Sequence, residues 1–347
     1  MVNADIVKRF VRDKGADLVG IAPMNRWEGA PKQFDPRYIA PRAKSMIVLG
    51  FRISRGSLRG IEEGTFYTTY PSMGYAALNQ IYGPMVLWSL THFLEDEGYE
   101  TIPLLNANGG EAINPVTGNF RAGWSVPVDR DKPYPDVLVH FRIAAYLAGL
   151  GEIGYSKLFL TPRFGPRQRF ALCMTEAELE PDPIFEGQIC DRCMLCAKHC
   201  PAQAISTTET VKVTLAGHEV EWAKINPLAC EKGIQGGVEN ELNPFLKDYP
   251  RRYGYGRALG GGFGCIRACM EHLEQRDRLS NRFKRPFREG EPWKKLDHSQ
   301  PHVHTDDIVE NYVKTGRIED ADAYITYNKR DNFGTDKTAK DDNPLVD

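Results

Sequence analysis

Four of the eight cysteines fall in one run, CDRCMLCAKHCP at 190–201, with gaps of two, two and three residues and a proline behind the last. A cubane iron–sulfur cluster needs several soft thiolates on a backbone that curls around it. A run of this spacing gives three thiolates to one cluster and the fourth to a neighbouring one. Cys190, Cys193 and Cys196 are therefore expected to hold a first, 4Fe-4S cluster, while Cys200 serves a second and Pro201 turns the chain away. Four cysteines also suit a tetrahedral zinc ion, but zinc ribbons separate two C-x2-C pairs by a longer loop, so the spacing favours iron and sulfide.

A two-cluster module requires a second half-motif, and the chain offers CIRAC at 265–269, which repeats the three-residue gap between Cys196 and Cys200. Cys269 then completes the first cluster. Cys265 joins Cys200 at the second, with Cys230 from a distant loop as the third ligand. An intact half-motif would carry a cysteine where the chain has Gly262 and a proline where it has Met270. The second centre is thus one cysteine short. It is expected to be a 3Fe-4S cluster, or a 4Fe-4S cluster whose fourth ligand is His199 or water. Cys173, inside the apolar stretch FALCM, reads as a small buried hydrophobe.

The remaining sequence must supply the elements that position these thiols. A chain of 347 residues, 41% hydrophobic, has room for two domains. Residues 1–20 read as a helix with an apolar stripe at Ile6, Val7, Phe10 and Val11, then a strand at LVGIAP; 45–53 reads as a buried strand. A long helix is expected over 76–97, with Leu78, Tyr82, Met85, Trp88 and Leu90 near one face. The turn-rich stretch 106–136 reads as a long functional loop, 137–150 as an apolar helix, and 169–185 as a strand leaving the domain. From 201 to 285 the composition is irregular and Gly-rich, and beyond about 320 it is polar. The expected division is a core at 1–180, an iron–sulfur domain at 181–300 and a tail at 301–347 that wraps the molecule or is partly disordered.

With 44 basic and 46 acidic residues the formal charge is −2, so electrostatics gives no reason to expect a nucleic acid or a membrane as partner. The N-terminus lacks the apolar core of a secretory leader, and no run approaches the ~20 apolar residues of a bilayer span. The expectation is a cytoplasmic protein whose thiols are reduced and available to metal.

The order of features resembles the reductive dehalogenase family, and more distantly the epoxyqueuosine reductases, over most of residues 1–300. The resemblance is carried by DLVGIAP near the N-terminus, EDEGYETIP ahead of Asn106 and Asn108, AGLGEIG at 148–154, LTPRFGPRQR at 160–169, LEPD at 179–182, RFKRPFREGEPW at 282–293 and the two cysteine regions. It implies an α+β protein with a nitroreductase-like α/β core that binds base-off cobalamin, followed by a ferredoxin-like two-cluster domain. Electrons would pass from a low-potential donor such as ferredoxin or flavodoxin, through the clusters, to cobalt. A small organic substrate, halogenated or otherwise activated, would be cleaved reductively, and pairing of two cores as a homodimer is left open.

The resemblance further implies a tyrosine as proton donor. Tyr82 is the first choice and Tyr75 the second, with Asn108 nearby. Tyr155 stands where the dehalogenase pattern carries an arginine, and Asp136 is an alternative acid because the epoxyqueuosine reductases use an aspartate upstream of their own AGLG run. Corrinoid contacts fall on Gly149, Gly151, Thr161, Phe164 and Gly165. His140 could face the corrinoid or the core. Asn114, Arg121 and Trp124 in the long loop look like added pocket or lid material. Gly262, Met270 and Tyr155 also motivate two other readings, a non-catalytic electron carrier or a redox sensor, and flavin is a further cofactor for such a core.

Overall fold

The computed structural model describes residues 2–63, 66, 68–105, 127–135, 137–234 and 264–288, all within a compact unit, Met1–Trp293. Asn106, Asn108, Asn114, Arg121, Trp124, Asp136, Gly262 and the tail 301–347 lie outside the described residues.

In chain order the core comprises α1 (Ala4–Asp13), β1 (Leu18–Pro23), β2 (Ser45–Arg52), α2 (Arg59–Glu63), a π-helix (Tyr70–Tyr82) continuous with α3 (Gly83–Asp96), and β3 (Thr101–Leu104). Next come α4 (Phe141–Leu147), the two-residue strands β4 (Glu152–Ile153) and β5 (Phe159–Leu160), and β6 (Gln168–Thr175). The cysteine-bearing part follows with α5 (Leu195–Lys198), β7 (Ile205–Leu215), β8 (His218–Ile225), α6 (Pro227–Ile234) and α7 (Gly264–Gln275). The content is mixed α and β.

Strands β1, β2, β6 and β3 form one antiparallel sheet in that order. Successive side chains of a strand point to opposite faces. Met46, Val48, Leu172 and Met174 accordingly pack with α4 and Trp222, while Ile47, Leu49, Ala171 and Cys173 pack with Val7 and Val11 of α1 and Val86, Leu90 and Leu94 of α3. Because both faces are covered, β2 reads as an unbroken apolar run, SMIVLGF. Burial pushes the Cys173 thiol pKa well up, which leaves it a small hydrophobe as expected.

Three stretches differ from the sequence expectation. The helix over 76–97 changes its hydrogen-bond pattern at Gly83–Pro84, where proline has no N–H to give, and Tyr82, Met85 and Trp88 point outward while Val86, Leu87, Leu90 and Leu94 face the core. The helix over 137–150 begins only at Phe141, with His140 extended as its N-cap, and ahead of it the Leu138 N–H donates to the Gln33 carbonyl at 2.9 Å. The described part of 201–285 holds regular elements that its composition did not announce. Its Thr- and Val-rich β7 pairs with β8 across a tight turn in which Ala216 and Gly217 both take positive φ, the backbone that matches strand twist in a two-residue hairpin. No helix among the described residues is long and apolar enough to cross a membrane.

Candidate functional site

The backbone of 190–196 curls because each two-residue gap holds one left-handed residue, Arg192 at φ 56° and Met194 at φ 64°. The start of the run is pinned to the core by Glu152, whose carboxylate accepts the Ile189 N–H at 2.9 Å and the Cys190 N–H. Across from it α7 presents Cys265 and Cys269 four residues apart, hence on one face. Cys190, Cys193, Cys196 and Cys269 line a single cavity with Tyr155, Leu160 and Leu273. Tyr155 N–H donates to Cys190 Sγ at 3.4 Å.

A second group lies beside the first. Cys200, Cys230 and Cys265 pack with Cys196, Ala204, Ile205 and Ala223, and Ala204 N–H donates to Cys200 Sγ at 3.4 Å. The largest electrostatic influences on the two helix thiols come from different cysteines, although Cys196 also acts on Cys265 and Cys265 on Cys269. Burial, then Cys190, Cys196 and Cys193, hold the Cys269 thiol well above its usual range; burial, then Cys200 and Cys230, push Cys265 up to about 12. Crowded buried thiols resist ionisation on their own and become thiolates when a metal supplies positive charge, so a four-thiol and a three-thiol group fit two iron–sulfur centres. Met270, which replaces the expected proline, is fully buried against Ile53, Leu58 and Tyr70 in the middle of α7, where proline would break the helix. The departure at 270 follows from that helix.

The second cysteine helix is tied to the core by an ion cluster. Arg267, between Cys265 and Cys269, donates to Glu62 Oε2 at 2.5 Å, and Arg288 donates to both Glu62 oxygens. Glu62 and Arg267 are 3% and 4% exposed at the side chain. Burial raises the Glu62 pKa, but the two guanidiniums outweigh it and hold the carboxyl below its ordinary value. Arg55 adds a 2.8 Å pair with Glu274 and lies 3.7 Å over the Phe283 ring. The segment after α7 therefore belongs to the packing that fixes the cysteines.

Next to the three-thiol group lies a cluster of cationic and aromatic side chains, Tyr70 buried and Tyr75, Arg142 and Arg169 half-buried, that sequence reasoning largely missed. Arg169 lies 4.0 Å over the Tyr75 ring and its Nη2 donates to Tyr70 Oη across 3.4 Å, while Tyr75 and Cys265 border the same apolar cluster. Burial, opposed by Arg169, raises the pKa of Tyr70, which therefore keeps its proton at neutral pH. Arg142 from α4 sits close enough to Arg169, Cys230, Cys265 and Tyr70 to feel each charge, and burial followed by Arg169 lowers its pKa. Arg169 Nε has no hydrogen-bond partner among the described residues. Two close guanidiniums with spare donors fit an acceptor-rich ligand, as the carboxamide-fringed periphery of a corrinoid is. Among the expected proton donors Tyr75 lies here; Arg169 closes the LTPRFGPRQR stretch but was given no role, and Tyr70 and Arg142 were not singled out.

Several other expected positions are occupied in different ways. Tyr82 is half-exposed, donates to the Gly15 carbonyl at 3.2 Å and meets Phe51 edge-on, on the α1 side of the sheet. Tyr155 is buried and donates to the Ser206 carbonyl at 3.0 Å, a brace between the first cysteine run and β7. A Cβ at Gly149 would lie 2.1 Å from the Pro183 carbonyl oxygen, and one at Gly151 2.0 Å from that of Leu160, so both glycines serve chain packing. Gly165 packs against Leu273 and Leu279 with φ 58°, Phe164 is fully buried, and Thr161 bonds Gln168 and the Phe164 N–H. Of the five positions expected to touch a corrinoid, Gly149 and Gly151 thus shape the link from α4 to β4, and Thr161, Phe164 and Gly165 the turn after β5.

His140 caps α4, its Nδ1 accepting the Ile143 N–H at 3.3 Å. Burial, then Lys157 and Arg142, lower its pKa to about 3. The unfolded chain, with histidine near 6.5, binds this proton more readily than the folded one. The contribution of His140 to stability is thus complete above 6.5 and is lost as pH falls from 6.5 toward 3. His140→Asn keeps a capping acceptor and removes the proton. Denaturant unfolding between pH 7 and 4.5 should show a shallower decline for the variant, by up to ~1.4 kcal/mol per pH unit; parallel curves would refute the assignment.

No family model matches the chain. Among curated proteins, a tetrachloroethene reductive dehalogenase of Desulfitobacterium hafniense is 30% identical over 256 residues, covering 60% of this chain and 39% of the relative. One of Sulfurospirillum multivorans is 26% identical over 290 residues, covering 72% and 47%. The chain spans less than half the length of these relatives. Among solved structures, a catabolic reductive dehalogenase aligns with a TM-score of 0.47 at 19% identity, covering 83% of this chain and 40% of that one. The resemblance to reductive dehalogenases is borne out by the curated relatives.

Proposed function

We propose that this chain is a cobalamin-dependent iron–sulfur oxidoreductase that cleaves a small organic halide reductively. The observation that carries the reading is the arrangement of seven cysteines in two adjoining groups, 190/193/196/269 and 200/230/265, the second of which borders the pocket of Tyr70, Tyr75, Arg142 and Arg169. Similarity to curated tetrachloroethene reductive dehalogenases supports it. In this reading residues 1–180 form a nitroreductase-like core and 181–300 a ferredoxin-like domain with a 4Fe-4S cluster and a second, 3Fe-4S or 4Fe-4S, centre.

A corrinoid held in the pocket would supply a low-potential cobalt for reductive carbon–halogen cleavage, with the protein contributing binding, orientation and protons. Arg142 and Arg169 would hold its acceptor groups. Tyr70 would deliver the proton. Its hydroxyl is buried and neutral, and Arg169 beside it stabilises the phenolate left after transfer. Tyr75 would hold the Arg169 guanidinium over its ring.

The test is single turnover of anaerobically reconstituted protein with an alkenyl or aryl halide. Tyr70→Phe should slow dehalogenation by about 10²–10⁴-fold with iron and corrinoid content unchanged, whereas Tyr82→Phe should leave the rate intact. A Tyr70→Phe variant at full rate would remove the proton donor from the account. Failure of the wild-type protein to retain corrinoid would remove the cobalamin.

A further inference from the structure

We propose that the surface around Cys193 is the docking site of an acidic one-electron carrier protein. The inference rests on the reading above, in which Cys193 ligates the first cluster. Of the eight cysteines, all among the described residues, Cys193 alone is exposed. The first centre therefore meets solvent at this corner, and an electron from outside has its shortest route here.

The charges at this corner are sorted by height. Asp191 is recessed: it accepts the Cys193 N–H at 3.2 Å, lies 2.8 Å from His272 Nε2 and pairs with Arg276 at 3.2 Å. The Arg276 side chain is 59% exposed against 20% for Asp191, and Arg192 is 51% exposed against 21% for its partner Glu221. Arg278, also exposed, reaches back to the Gln188 carbonyl at 3.4 Å. Each acid is held beneath the guanidinium it pairs with, so the outermost layer around Cys193 is cationic although the pairs are neutral in sum. Close by, Asp277 and Arg282 are exposed to similar degrees and cancel. Such a rim steers an acidic partner by long-range attraction and leaves a weak, small interface of the kind electron carriers use.

The step is a one-electron transfer. The carrier is oxidised by one electron, the first cluster is reduced by one, and no bond forms or breaks. Anaerobic stopped-flow reduction of the reconstituted holoprotein by a purified acidic flavodoxin follows it directly, with titanium(III) citrate as a reductant that needs no docking. The charge-reversed variant Arg192→Glu/Arg276→Glu/Arg278→Glu should react with flavodoxin at least tenfold more slowly at low salt. The deficit should disappear near 0.5 M salt, where charges a few ångströms apart are already screened, and the titanium reaction should be unaltered. The neutral pair Arg192→Gln/Arg278→Gln, which leaves the Asp191 network intact, should fall between. Flavodoxin rates indifferent to both charge and salt would overturn the docking site while leaving the cluster reading standing, and so would equal slowing with both reductants. A wild-type protein that holds no iron would overturn the cluster reading and this inference together.

Discussion

Replacing Cys269 with alanine should cost the first centre at least the one iron atom that this thiolate holds, and up to about four per chain where the whole cluster is lost, although the residue lies far along the chain from the CDRCMLCAKHCP run. The structure places its thiol in the cavity of Cys190, Cys193 and Cys196, and those three charges dominate its electrostatic surroundings after burial itself. A four-iron cluster with three protein thiolates loses iron readily, so the deficit should appear in anaerobic metal analysis after gel filtration. Cys173→Ala is the control: that thiol sits between the sheet and α1 and α3, remote from either group, and iron should stay at the wild-type level. Equal iron in both variants would show that Cys269 is not a ligand.

The second large effect is expected at Glu62. Glu62→Ala removes the carboxylate that accepts from both Arg267 and Arg288 and leaves both guanidiniums charged, Arg267 deeply buried. Breaking a buried pair by deleting one partner typically costs ~3–5 kcal/mol, and the cost here falls on the helix that carries Cys265 and Cys269. Denaturant unfolding under anaerobic conditions should show that loss, with both centres released at a lower midpoint than in the wild type. Glu62→Gln retains acceptors and should lose less. The pH sign follows from a carboxyl whose folded pKa lies below its unfolded value: stability from Glu62 is present above about 4.5 and declines as pH falls through the folded value. A midpoint unchanged within ~1 kcal/mol would mean that the cluster helix is held by apolar packing alone.

How much of this was legible in the sequence varies with the physics of each feature. The cysteine spacing was readable because cluster ligation is local: left-handed residues at 192 and 194 and a helical turn between 265 and 269 are consequences of the gaps themselves. Strands β2 and β6 were readable because a sheet covered on both faces leaves a continuous apolar run. The β7–β8 hairpin carried a signal, a Thr- and Val-rich segment running into Ala216–Gly217, that the glycine content further on obscured.

The pocket was not legible because its members come from four separate places, the π-helix, α4, β6 and the cysteine helix, and nothing in a tyrosine or arginine marks burial. Tyr82 shows the limit well. The family resemblance made it the first choice of proton donor; its helix sets it half-exposed against the Gly15 carbonyl, while Tyr70 and Tyr75 face Arg169. The glycines of AGLGEIG, expected to meet a corrinoid, lie close against the chain's own carbonyls. A close backbone approach is visible in a sequence, but the group approached is not.

The measurement closest to the central claim is metal and corrinoid content of the protein reconstituted anaerobically with iron, sulfide and a corrinoid, then stripped of loose ligand. The account predicts about seven to eight iron atoms and one cobalt per chain, with cobalt retention abolished in an Arg142→Ala/Arg169→Ala double variant that keeps its iron. Zinc in place of iron, or full iron with no cobalt retained by the wild type, would contradict it.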